Sequence, residues 1–131
     1  MKQLEKILKN WQDFLGLQHW SLTIIIKKLE DAEDGEIDYD NREFTGTIFL
    51  QEGQSIEKYE ETIVHELLHL IFEEIDHIVD QLRDKDNTKI VDLYDDFLHK
   101  AIGKMTKALV RKRKRKAKPK KEVALNDGRK I

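Results

Sequence analysis

Residues 59–72 constrain this chain more than any other stretch. The run Tyr59-Glu60-Glu61-Thr62-Ile63-Val64-His65-Glu66-Leu67-Leu68-His69-Leu70-Ile71-Phe72 reads as a helix that is apolar nearly all round. Such a helix belongs in a core, yet this one carries two histidines and a glutamate. Unpaired polar groups in a core cost several kcal/mol, so the trio needs a partner. Histidines four apart share a helix face, with Cβ atoms about 5–6 Å apart. Both imidazoles can then reach one ion at the Zn–N distance of about 2.0–2.1 Å. Glu66 is rotated about 100° from His65 and can face a water without ligating. Two ligands plus a carboxylate base is the arrangement of zinc hydrolases.

The rest of the chain sets limits on this reading. The length, 131 residues, suits one domain. With no cysteine, disulfides and thiolate metal sites are excluded. No apolar run reaches the ~18 residues of a membrane span. The charged, periodic start Met1-Lys2-Gln3-Leu4-Glu5-Lys6 is unlike a signal peptide, so a cytoplasmic protein with no membrane partner is expected. A net charge of −2 conceals a division. Residues 1–110 hold 13 Lys and Arg against 24 Asp and Glu, a balance of −11; residues 111–131 hold 11 against 2, a balance of +9. The expected organisation is a folded domain over 1–110 and a basic, flexible tail over 111–131.

In order along the domain, Leu4, Ile7, Leu8, Trp11, Phe14 and Leu15 predict an amphipathic helix over 3–15, stopped by Gly16. Trp11 and Trp20 are read as core. Residues 21–29 are rich in β-branched side chains and predict a strand. Residues 30–41 hold seven acids and read as an exposed connection, with Ile37–Tyr39 as an optional short strand. Residues 44–50 predict a further strand, in which Gly46 signals a bulge or a close backbone approach. Ser55 caps the next helix, expected from about 56 to 82, and residues 84–88 break it. A last helix is expected from about 89 to 110, capped by Asn87 or Thr88. The fold class is thus α+β: a small sheet packed against an N-terminal helix, the His65–His69 helix and a C-terminal helix.

A catalytic zinc site wants a third protein ligand and an open position. The metzincin pattern fails, because Phe72 stands where it needs glycine and Ile75 where it needs the third histidine. His77 lies eight residues, about 12 Å, past His69 on an unbroken helix, too far to share an ion. The last helix offers Asp92, Asp95, Asp96 and His99. At 100° per residue, Asp92 and Asp96 lie nearly opposite the centre of its apolar stripe, Asp95 roughly 80° away and His99 about 120° away. Asp95 ranks first, with Asp96 and His99 as alternatives.

These features resemble a family of small zinc metallopeptidases from bacteriophages and prophages, of a minimal gluzincin-like type. The match rests on the opening Trp/Leu helix, Leu17-Gln18-His19-Trp20-Ser21-Leu22-Thr23-Ile24, the strand Thr45-Gly46-Thr47-Ile48-Phe49-Leu50, and above all Glu60-Glu61-Thr62-Ile63-Val64-His65-Glu66-Leu67-Leu68-His69-Leu70. It covers about residues 1–110 and implies a zincin fold, a Zn2+ cofactor and a sheet edge able to pair with an extended peptide. It also implies a glutamate as third ligand on the last helix, where this chain has aspartates and no glutamate from 89 to 110.

The leading expectation is therefore a zinc-dependent peptidase acting on peptides or proteins in a bacterial or phage-infected cytoplasm. His65, His69 and Asp95 would hold zinc, and Glu66 would serve as general base. The strand at 44–50 would take the peptide by β-addition, and Tyr94 or His99 would be at hand for the oxyanion. A metal-binding zincin without activity, serving as a sensor or interaction module, is the alternative. Residues 111–121, nine of them basic, would make weak nucleic-acid contact through phosphates, without aromatics for base stacking.

Overall fold

Among the described residues the chain folds as an α+β unit of three helices and a small mixed sheet, with the first two helices packed on the sheet and the last packed on the second. The computed structural model describes residues 1–31, 33–73, 75, 78–79, 81 and 88–117. His77, Asn87, the segment expected to break the helix and residues 118–131 lie outside them.

Helix α1, Lys2–Leu15, buries Leu4, Leu8 and Trp11 on one face and ends at Gly16, which adopts the left-handed φ of 75°. The buried Gln12 amide donates to the Leu17 and Trp20 carbonyls at 3.1 and 2.9 Å, ordering the connection into the sheet. Trp11 and Trp20 are both core residues, as the sequence predicts. Trp11 Nε1 also donates to Glu60 at 2.8 Å, tying α1 to the next helix.

Strands β1, Ser21–Lys27, β2, Gly35–Asp40, and β3, Thr45–Gln51, lie in the order β1-β3-β2. β1 runs parallel to β3 and β2 antiparallel to it. Two sequence expectations change here. The acidic segment is not a plain connection: it contains the whole of β2, in which Ile37 and Tyr39 turn inward while Glu36, Asp38 and Asp40 turn to solvent. The strand expected at 44–50 is central, with both edges paired and Ile48 and Leu50 fully buried, so no peptide can add to it. The outer edges belong to β1 and β2. Gly46 marks a close approach, since a Cβ there would sit 3.0 Å from Leu22 and 3.1 Å from the Asp38 carbonyl oxygen.

Helix α2, Ile56–Ile71, begins at Ser55, whose Oγ accepts from the Lys58 N–H at 3.2 Å. Its core face is Ile63, Val64, Leu67 and Leu68. α2 breaks at Phe72, which has φ −94° and ψ 10° and whose N–H closes on the Leu68 carbonyl, and the described residues 73, 75, 78, 79 and 81 beyond it are helical again, within the span expected to reach about 82. No glycine or proline announces this break. Around it Ile71, Ile75 and Ile78 are exposed, while Phe72 is half-buried against the core. The Asn41 amide donates to Glu73, holding the β2–β3 turn beside this end of α2.

Helix α3, Thr88–Ala117, passes the expected stop near 110 and carries into the basic segment. Val110 is buried, and the Arg113 guanidinium lies 4.8 and 4.9 Å from the ring centres of Trp11 and Phe14. Lys and Arg are good helix formers, and cations suit a helix C-terminus, so the basic run extends α3 rather than ending it.

Candidate metal centre

On α2 the four-residue spacing stacks His65 over His69, and their ring centres lie 5.1 Å apart. Both are half-buried, about 100° round the helix from the buried Val64 and Leu68. α3 brings a third imidazole: His99 lies 6.1 Å from the His65 ring and 5.3 Å from the His69 ring. One ring nitrogen from each of the three falls within 4.8 Å of the others. Tetrahedral Zn–N bonds of about 2.0–2.1 Å place ligand nitrogens about 3.4 Å apart. Small side-chain rotations close that difference. Three imidazoles suit zinc and its first-row neighbours and leave a coordination position open, so the donor set fits such an ion.

The electrostatics favour ligation. Burial lowers the His69 pKa to about 4, and the neighbouring His65 and His99 push it the same way. Burial also lowers His65, aided by His99 and Lys58 and opposed by Asp34. Both rings are therefore neutral at pH 7, with lone pairs ready for a cation.

Glu66 follows His65 but points to a drier place and is only 6% exposed. Burial raises its carboxyl from the usual 4.5 to about 7, and the carboxylates of Glu33 and Glu36 add to the rise. A carboxyl poised near neutrality suits a general base. Glu66 and the three histidines line one cavity of about 540 Å³, walled by α2, β2 and α3. Thr106 from α3 also lines it; its buried Oγ1 has no hydrogen-bond partner among the described residues.

The structure brings together His65, Glu66, His69 and His99. Asp95, first in the sequence ranking, is half-buried and outside this group; Asp96 is exposed and also outside it. Two features of α3 bear on this: which of its residues face inward, and how far along the axis each stands. Averaging all its apolar residues counts Leu93, Phe97 and Met105, which are exposed. The buried set is Val91, Ile102, Thr106 and Val110. Its centre lies about 40° from His99 at 100° per residue, not 120°. Asp95 lies within about 5° of that centre, nearer than His99, but one turn, about 6 Å, earlier on the axis, so its height along α3 rather than its angle keeps it from the group.

For the oxyanion, Tyr94 is not among the residues lining the cavity, whereas Tyr39 of β2 is. Sequence reasoning passed over Tyr39, Glu33 and Glu36. Their signal was the alternation from Glu36 to Asp40, hidden by the density of acids. No protein-family model matches the chain, and neither does any curated protein or solved structure.

Proposed function

We propose that the protein is a zinc-dependent peptidase of the zincin kind, with His65, His69 and His99 holding the metal and Glu66 as general base. The convergence of His99 from α3 on the His65–His69 pair, beside a buried glutamate in an open cavity, carries this reading. A zinc ion held there would polarise the scissile carbonyl and acidify water. Glu66 takes a proton from water in the cavity and delivers it to the departing amine nitrogen. Its pKa near 7 lets it do both at neutral pH. β2, an outer strand whose residues Gly35, Glu36, Ile37 and Tyr39 line the cavity, offers backbone groups to an extended peptide. Substrate pairing thus moves from the strand expected at 44–50 to β2.

The test is a peptide-library digest with zinc-loaded protein, beside metal analysis of single variants. Cleavage is expected to fall about 10²–10⁴-fold in Glu66→Gln. Zinc is expected to be lost in His65→Ala, His69→Ala and His99→Ala but kept in Asp95→Asn. Bound zinc with no Glu66-dependent cleavage would leave a metal-binding module. Zinc lost in Asp95→Asn and kept in His99→Ala would restore Asp95 as the ligand.

A further inference from the structure

The cavity beside the three histidines has walls of unequal charge. Glu33, Asp34 and Glu36 line it from β2 and the residues before it, and Glu61 lines it from α2. Two lysines oppose these four carboxylates. Lys58 lies 3.1 Å from Asp34 and 3.9 Å from Glu61, so these three groups offset one another in part and Glu33 and Glu36 carry most of the rim's negative charge. Lys107 stands on the α3 side. Glu33 and Glu36 are exposed, at the mouth. The cavity therefore presents a negative rim to whatever enters along β2.

A second observation points inward from that rim. Thr106 is 3% exposed, and its Oγ1 has no partner among the described residues. A buried hydroxyl without a partner costs stability unless something entering the cavity bonds to it. As an acceptor it suits an N–H donor. The space, about 540 Å³, falls in the range of sites that take small ligands or side chains. A peptide laid along β2 sends alternate side chains to one side, and one of these enters the space between β2 and α3.

Building on the peptidase reading, we propose that this cavity selects a basic side chain, lysine or arginine, near the scissile bond. The rim carboxylates attract the cation and repel acidic peptides, and Thr106 Oγ1 accepts one of its N–H groups.

The experiment separates this proposal from the reading it rests on. Short capped peptides, identical except for a central arginine, glutamine or glutamate, are titrated into metal-free protein and followed by NMR. The arginine peptide is expected to bind about tenfold tighter than the glutamine peptide, as two partly exposed ion pairs allow. That preference weakens as salt rises. It falls to about threefold or less in the Glu33→Gln/Glu36→Gln variant. Glu33→Lys/Glu36→Lys turns the preference toward the glutamate peptide. Both positions are exposed, so these variants keep the fold. Equal affinity for the three peptides, or an arginine preference that survives both variants, overturns the proposal. The same peptides are then offered to zinc-loaded wild type and Glu66→Gln. Arginine-selective binding without Glu66-dependent cleavage refutes the peptidase and keeps the basic site. Glu66-dependent cleavage indifferent to arginine does the reverse.

Discussion

Replacing Glu66 by glutamine should stabilise the metal-free protein, and by an amount that depends on pH. Burial holds the Glu66 carboxyl at about 7 in the folded state, against the usual 4.5. The unfolded chain therefore loses this proton at lower pH than the folded one. Between those values the folded state binds more protons, so stability falls as pH rises. The penalty is absent below about 4.5 and complete above about 7. At about 1.4 kcal/mol per unit, the difference of 2.5 units corresponds to about 3 kcal/mol. Glutamine keeps the shape and never ionises.

Urea unfolding of both proteins in chelator, at pH values from 4.5 to 8.5, measures this directly. At pH 8 the glutamine variant should unfold at a midpoint roughly 1–2 M higher in urea. At the acid end the two midpoints should converge. His65 and His69 impose an opposite trend: their lowered pKa values make both proteins less stable as pH falls through about 6.5. That trend is shared and cancels in the comparison. A gap that does not change with pH, or a variant less stable at pH 8, would refute the account of Glu66 as a carboxyl kept neutral by burial.

Two further outcomes test how the site is held. Gly35→Ala should cost about 1–3 kcal/mol in urea unfolding, because its Cβ would strike the Thr62 side chain and sit 2.9 Å from the Phe49 carbonyl oxygen; a neutral result would mean β2 does not press on α2. Arg113→Ala should cost about 0.5–2 kcal/mol by losing its contacts with Trp11 and Phe14, and an unchanged unfolding midpoint would return residue 113 to the tail.

The elements legible in the sequence are those whose signal is local. The α1 stripe, the Ile24-centred strand and the His65–His69 spacing each follow from neighbours within one or two turns. β2 was legible only as an optional strand at Ile37–Tyr39, because an exposed edge strand carries charge on one face and seven acids in twelve residues read as a connection. Sheet order was not legible at all. Nothing local says that β3 slides between β1 and β2, so the strand expected to meet the peptide turned out to be the one with no free edge. Ranking Asp95 above His99 weighed only the angle around the helix, took that angle from every apolar residue, and left out the one turn, about 6 Å, that separates the two along the axis. An apolar side chain marks a core face only if another element covers it, and nothing covers Leu93 or Phe97 among the described residues.

The centre depends on three elements, each brought by a different level of the fold. Local spacing on α2 pairs two histidines. Tertiary packing of α3 adds the third donor. Sheet topology places β2, not β3, at the edge beside them. That last step does two things at once. With β2 at the edge, its backbone lines the cavity where a peptide can pair, and Glu36, with Glu33 just before the strand, lies close enough to raise the Glu66 pKa. Glu36, Asp38 and Asp40 turn to solvent on this outer strand, where charged side chains are common. The acidic composition of residues 30–41 thus agrees with β2 lying at the edge. The same charges that hid the strand in the sequence set the electrostatics of the site it borders.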